Sequence, residues 1–209
     1  DGSEHRFTPE RAIEIQHQIG ADIIMAFDQC TSDSASEVEA RAAMERTHRW
    51  AKQSLEAHNS GAHSPKYKQY LFGIIQGGLF KNLREESARF ITSLPFDGIA
   101  LGGETTGFNM EMTKEVLLWL KDILPADKPL YTMGVGASPE DLFTVVERGV
   151  DMFDCVAPTR IARNGALYSR ASGREKKYRI DIGNLQYAED TSPIDAECAC
   201  GTCARYSRA

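Results

Sequence analysis

Leu71-Phe72-Gly73-Ile74-Ile75-Gln76 and Gly98-Ile99-Ala100-Leu101-Gly102-Gly103, with the helical pattern of Leu83 to Leu94 between them, decide the fold. Each run is short, continuously apolar and closed by a polar residue or glycine, as a parallel strand buried on both faces is. The same pattern recurs upstream in Ile23-Ile24-Met25-Ala26-Phe27-Asp28 and downstream in Leu130-Tyr131-Thr132-Met133-Gly134 and Val150-Asp151-Met152-Phe153-Asp154. Helical stretches separate the runs. Thr8-Pro9-Glu10 opens the first, with a capping hydroxyl, Pro at the first helical position and an acid in the first turn. Ala35 to Ala57 and Met110 to Leu124 follow the same periodicity, the latter stopped by Pro125, and Ser138-Pro139-Glu140-Asp141 opens one more. Strand alternating with helix predicts an α/β chain with a parallel sheet and crossover helices. An open doubly wound sheet and a (β/α) barrel both fit.

The chain has 209 residues, a net charge of −6 and 42% hydrophobic residues, enough for a real core and too apolar for wholesale disorder. With 24 Lys and Arg against 30 Asp and Glu, it is not a globally basic nucleic-acid binder. No apolar stretch reaches the roughly 18 residues of a membrane span, and no signal peptide opens the sequence. Charge is unevenly spread. Arg160 to Arg179 carries seven cations and one acid, a net of +6, and Ile180 to Ala209 carries −3, leaving −9 on the first 159 residues. An acidic body with one basic segment suits engagement of a polyanion through one face, although a solvated charged loop gives the same count. Asn59 to Ser64, beside Gly61 and Pro65, reads as a mobile insertion. The chain starts at Asp1 and stops inside a cysteine cluster, as expected of a piece of a longer protein.

The five cysteines are a poor disulfide framework, since the count is odd and three of them crowd the C-terminal end. Cys198-x-Cys200-x-x-Cys203, with Gly201 and Thr202 inside the turn, instead brings three thiolates to one tight loop, as a tetrahedral zinc site requires. A structural zinc takes four ligands, and no histidine lies near in sequence, so the fourth is expected to be absent from this chain.

In either parallel architecture ligands bind at the C-terminal ends of the strands. Asp28, Gln76, Gly102-Gly103, Met133-Gly134 and Asp154 all stand at such ends, which gives them one address. Asp28 and Gln76 offer acceptor and donor edges suited to a planar heterocycle with amide-like hydrogen bonding. Gly102-Gly103 frees backbone N–H groups, and the Met133 thioether can lie on a ring face. Asp154, a carboxylate in an apolar run, is costly to bury unless it is paired or used. Such a group can act as nucleophile at a sugar carbon, through a covalent intermediate.

Several stretches resemble the tRNA-guanine transglycosylases: Phe7-Thr8-Pro9-Glu10, Met25-Ala26-Phe27-Asp28-Gln29-Cys30, Gly73-Ile74-Ile75-Gln76-Gly77-Gly78 and Tyr131-Thr132-Met133-Gly134-Val135-Gly136. So do Gly149-Val150-Asp151-Met152-Phe153-Asp154-Cys155-Val156-Ala157-Pro158-Thr159-Arg160, Arg163-Asn164-Gly165 and the cysteine loop. The resemblance covers essentially the whole chain. It implies the later strands of a TIM (β/α)8 barrel over residues 1–170, with residues 171–209 as the basic segment and the start of a zinc-binding subdomain. It also implies exchange of the wobble guanine in the tRNA anticodon loop for a 7-deazaguanine. On that resemblance Asp154 is the nucleophile, Asp28 and Gln76 read the base edge, the Gly102-Gly103 backbone assists, and Met133 and Gly134 flank the base. Cys30 lines the pocket, Arg160 and Arg163 meet the RNA backbone, and Cys198, Cys200 and Cys203 are three zinc ligands whose His partner lies outside the chain.

The resemblance places a second catalytic Asp outside these residues as well, so the chain alone is expected to be inactive. The bacterial type implies a homodimer in the cytoplasm that takes 7-aminomethyl-7-deazaguanine, where archaeal members use a 7-cyano base and eukaryotic ones queuine. One loop departs from the pattern. It reads Gly103-Glu104-Thr105-Thr106-Gly107-Phe108, and the family's acid in this loop falls at Phe108, with Glu104 or Glu111 as substitutes. The incoming base therefore stays open. The alternative is a non-catalytic tRNA-binding or partner subunit of the same family.

Overall fold

The computed structural model describes residues 2–61, 67–103, 106–107 and 109–209. Part of the insertion expected at Asn59 to Ser64, and Glu104, Thr105 and Phe108 of the divergent loop, lie outside the described residues. Contacts divide the chain into two compact units, one of Asp1–Val135 with Thr144–Asp154 and one of Gly136–Phe143 with Cys155–Ala209.

In the first unit, helices α1 (Pro9–Ile19), α2 (Glu37–Asn59), α3 (Lys81–Thr92) and α4 (Met110–Leu120) alternate with strands β1 (Ile23–Met25), β2 (Tyr70–Ile75), β3 (Gly98–Leu101), β4 (Leu130–Thr132) and β5 (Met152–Phe153). The helix starts follow from their caps. The Thr8 hydroxyl accepts from the Arg11 N–H, and Ser36 and Glu39 form a reciprocal capping box that sets α2 two residues later than its composition suggests. The last turn before Pro125 leaves the α-helical path after Leu120, so α4 is shorter than its pattern.

The five strands are all parallel and stand in the order β1-β2-β3-β4-β5. A doubly wound sheet reverses its strand order at a switch point, whereas a barrel wall adds each strand beside the last. The sequential order, on a curled sheet, is that of a partial (β/α)8 barrel. The middle strands are its dry centre: Leu71 to Ile75 and all of β3 are buried. Gly73 and Gly98 admit the rings that fill this layer, since a Cβ on Gly73 would collide with Phe96 and one on Gly98 with Phe72. A side chain of α1 meets the backbone of β1 at Met25. Gln16 of α1 donates from Nε2 to the Met25 carbonyl at 2.9 Å and accepts the Met25 N–H on Oε1 at 2.8 Å.

The second unit holds α6 (Ala157–Arg163), an antiparallel pair of β6 (Ala166–Tyr168) and β7 (Arg179–Asp181), and α7 (Gly201–Arg205), while α5 (Pro139–Val146) carries residues of both units. No helix among the described residues is long and apolar enough to cross a membrane.

One histidine ties helix packing to pH. The His48 ring stacks on Phe90 at 4.1 Å between centroids, and its Nε2 lies 3.1 Å from the buried Ser87 hydroxyl. Burial is the main cause that holds its pKa down at about 4, against an ordinary 6.5. The unfolded chain therefore binds the extra proton first, so this contribution is whole above about pH 6.5 and is lost as pH falls toward about 4. His48→Gln is expected to flatten the fall of the thermal unfolding midpoint over that window. An unchanged slope would contradict the assignment.

Candidate active site

The C-terminal ends of β1 to β5 carry the polar groups. Asp28, three residues past β1, accepts a hydrogen bond from Gln76 Nε2 at 2.6 Å. Gln76 is buried, and its backbone N–H donates to the Ser87 hydroxyl of α3 at 3.1 Å. Its amide oxygen, Oε1, is buried and has no hydrogen-bond partner among the described residues. Burial also pushes the Asp28 pKa up, partly offset by the Gln76 bond. Gly102 is required here by space, since a Cβ would strike the Gln76 amide. Gly103 has φ +118°, a conformation that favours glycine, and a Cβ there would lie 2.5 Å from an Arg84 nitrogen.

A second group forms between β4 and β5. The Tyr131 hydroxyl donates to Asp154 Oδ1 at 2.6 Å, and the Gly134 N–H donates to the same oxygen at 3.2 Å. Oδ2 carries no hydrogen bond among the described residues. Burial, then the bond to Asp154 and its charge, push the Tyr131 pKa upward, so the phenol remains a donor throughout the neutral range. The sequence puts Asp154 in an apolar run, but β5 is two half-buried residues paired, among the described residues, with β4, and Asp154 is exposed. Its restraint comes from donors and not from desolvation. Gly107 packs against the turn, since a Cβ on it would lie 2.5 Å from the Gly134 carbonyl group and 2.9 Å from the Met133 oxygen.

Asp28, Gln76, Gly102 and Gly103 thus form one contacting set, and Gly134 and Asp154 a second, with half-buried Met133 beside it. On a flat sheet with strands about 4.8 Å apart, β2 and β5 would be about 14 Å from one another. Barrel curl shortens that span at the inward-facing ends. Cys30 is exposed, on a hollow of about 560 Å³ that it shares with Gln29, Thr31, Ala35 and Arg46. A hollow of about 730 Å³ lies near the opposite strand ends, by Leu117, Leu124, Leu130 and Asp151, where this architecture does not place its ligands.

Two residues escape a reading of the strand ends alone. Tyr131 stands inside β4, where the twofold period turns it to the face opposite buried Leu130 and Thr132. Arg84 falls at the spacing of Ser87, Ala88 and Ile91 on the buried face of α3, where a cation is out of pattern.

In the second unit, Arg160 and Arg163 lie exposed on α6 and form no ion pair among the described residues. Of the basic segment, Arg170 pairs with Asp195 at 3.3 Å and Arg174 with Glu140 at 3.0 Å, while Lys176, Lys177 and Arg179 are exposed. The ligand atoms of Cys198, Cys200 and Cys203 lie within 4.8 Å of one another. Thiolates on one tetrahedral metal at about 2.3 Å each stand about 3.8 Å apart, so the loop is nearly set for an ion. Cys200 caps α7, and the Cys203 N–H it receives is the main cause that lowers its thiol pKa to about 7, which favours the ligating thiolate.

The family model described as queuine tRNA-ribosyltransferase matches residues 1–209. Curated relatives with that name include the proteins of Herpetosiphon aurantiacus, 50% identical, and Zymomonas mobilis, 46% identical, each over all of this chain. The chain spans 50% and 52% of their respective lengths, about half of each. A match of that identity over the whole chain is not a likeness of fold alone, and the chain belongs to the queuine tRNA-ribosyltransferase family.

Proposed function

We propose that these residues carry the base-reading and nucleophilic part of a tRNA-guanine transglycosylase, which exchanges a guanine in tRNA for a 7-deazaguanine. The buried, unpartnered Gln76 Oε1 is the observation that carries the reading. A buried acceptor left unpaired costs about 1–3 kcal/mol, and a purine-type N–H edge would satisfy it. Asp28 and the Gly102-Gly103 backbone then complete an edge that donates and accepts, with Met133 and Gly134 at the base's flank. Asp154 attacks the ribose anomeric carbon with its open Oδ2, the guanine leaves with the bonding electrons and takes up a proton, and the incoming base gives up its ring N–H proton as it displaces the carboxylate from the same carbon. Tyr131 and Gly134 hold Oδ1 so that one oxygen faces the sugar. No water enters the balance, so glycosidic hydrolysis is not required.

The exposed Arg160 and Arg163 are assigned to RNA phosphates, which position the substrate and weaken with salt. Cys30 is assigned to the pocket's rim, and the base is assigned as 7-aminomethyl-7-deazaguanine. The three cysteines are assigned to a structural zinc, which would fix the loop at the base of α7. A homodimer acting in the cytoplasm completes the reading.

In a full-length protein carrying this chain, radiolabelled guanine is expected to enter tRNA, and Asp154→Asn is expected to abolish incorporation. Incorporation at the wild-type rate by that variant would rule out the nucleophile. Tyr131→Phe removes one charge-assisted bond, worth about 1.5–3 kcal/mol, and is expected to lower kcat by about ten- to a hundredfold with tRNA binding unchanged. An unaltered kcat would show that Gly134 suffices. Metal analysis of the same protein is expected to find one zinc per chain and almost none after Cys200→Ser, whereas a metal-free wild type would remove zinc from the account.

A further inference from the structure

Arg84 is the largest fully buried side chain described. It leaves α3 toward the N-terminal end of the helix and donates to three main-chain carbonyls: Nε to Gly78 at 2.8 Å, and Nη1 to Ile75 at 3.2 Å and Gly102 at 2.7 Å. Ile75 closes β2 and Gly102 follows β3, so one guanidinium spans the two strand ends on which Gln76 and Gly103 stand. Its Nη2 has no hydrogen-bond partner among the described residues and lies under Gly103, where it leaves no room for a side chain. No carboxylate forms an ion pair with it among the described residues. A buried guanidinium costs more desolvation than an apolar side chain of the same volume, so methionine or leucine would serve the packing better. What it adds is geometry: a rigid fork with donors in fixed directions, which lysine lacks.

We propose that Arg84 is a positioning residue for base recognition, setting the Gly102–Gly103 backbone and the Gln76 amide at the spacing that the base edge needs. The inference rests on the base-exchange reading of this site. Burial lowers the Arg84 pKa to about 10, which leaves the fork charged at neutral pH. A site held on strand ends by a locked second layer is accurate to a fraction of an ångström, and loosening that layer is felt as lost affinity.

The test uses a full-length protein carrying this chain, with guanine exchange into tRNA as the assay. Arg84→Lys keeps the charge and loses the fork. It is expected to raise the KM for guanine at least tenfold, with the KM for tRNA within twofold of wild type. Gln76→Ala raises the guanine KM by the same route, so the double variant is expected to be within about threefold of Gln76→Ala alone. A guanine KM within twofold of wild type in Arg84→Lys would overturn the proposal, as would effects of the two substitutions that multiply. So would an equal fall in activity toward every substrate, which marks only lost folded enzyme. If Arg84→Lys does not fold, Arg84→Gln replaces it, and failure of both to fold would place the residue in stability alone. A wild type that exchanges no guanine defeats the parent reading and this one with it, whereas exchange that is indifferent to Arg84 defeats this one only.

Discussion

Burying the middle strands on both faces confines the sheet's chemistry to its strand ends. β2 from Leu71 to Ile75 and all four residues of β3 exclude water, and a polar side chain within them would pay its full desolvation without a partner. The polar groups therefore cluster just beyond Ile75, Leu101, Thr132 and Phe153, where the backbone ladder ends. Because the strands stand in chain order, those ends lie side by side, and the site inherits its layout from the sheet. The same constraint explains the glycines. Gly102 and Gly103 are small because Gln76 and Arg84 already occupy the space their side chains would need.

Two kinds of restraint operate at the rim of this sheet. Gln76 and Asp28 are held in a desolvated pocket, where burial raises the Asp28 pKa and leaves an amide oxygen open. Asp154 is exposed and is held instead by a phenol and a backbone N–H. The contrast suits a division of labour: a dry, shaped edge for a base, and an accessible oxygen for a sugar carbon. It also separates the substitutions expected to alter base affinity from those expected to alter turnover.

Much of this was legible in the residues. Apolar runs closed by Asp, Gln or Gly locate the five strands of the parallel sheet, and Thr8 caps the first helix as its hydroxyl suggests. The spacing of Cys198, Cys200 and Cys203 foretells sulfurs that converge. Local pattern alone fits a doubly wound sheet as well as a barrel, because strand order is a property of pairing; the family resemblance implies the barrel, and the sequential strand order bears it out. The roles of Arg84 and Tyr131 could not be seen from the strand ends. Arg84 acts on carbonyls six, nine and eighteen residues away, and Tyr131 on a carboxylate twenty-three residues on. Nor does a run of apolar neighbours show that Asp154 is exposed.

The account centres on one oxygen of Asp154 forming a bond to ribose. The direct measurement is peptide mapping by mass spectrometry of the protein–RNA adduct, trapped by denaturation during turnover of a full-length protein carrying this chain and digested with ribonuclease and protease. A ribose-bearing mass increment on the peptide containing Asp154, localised to that residue by fragmentation, is the predicted result. An adduct localised to a different residue, or no adduct while guanine continues to exchange, would contradict it.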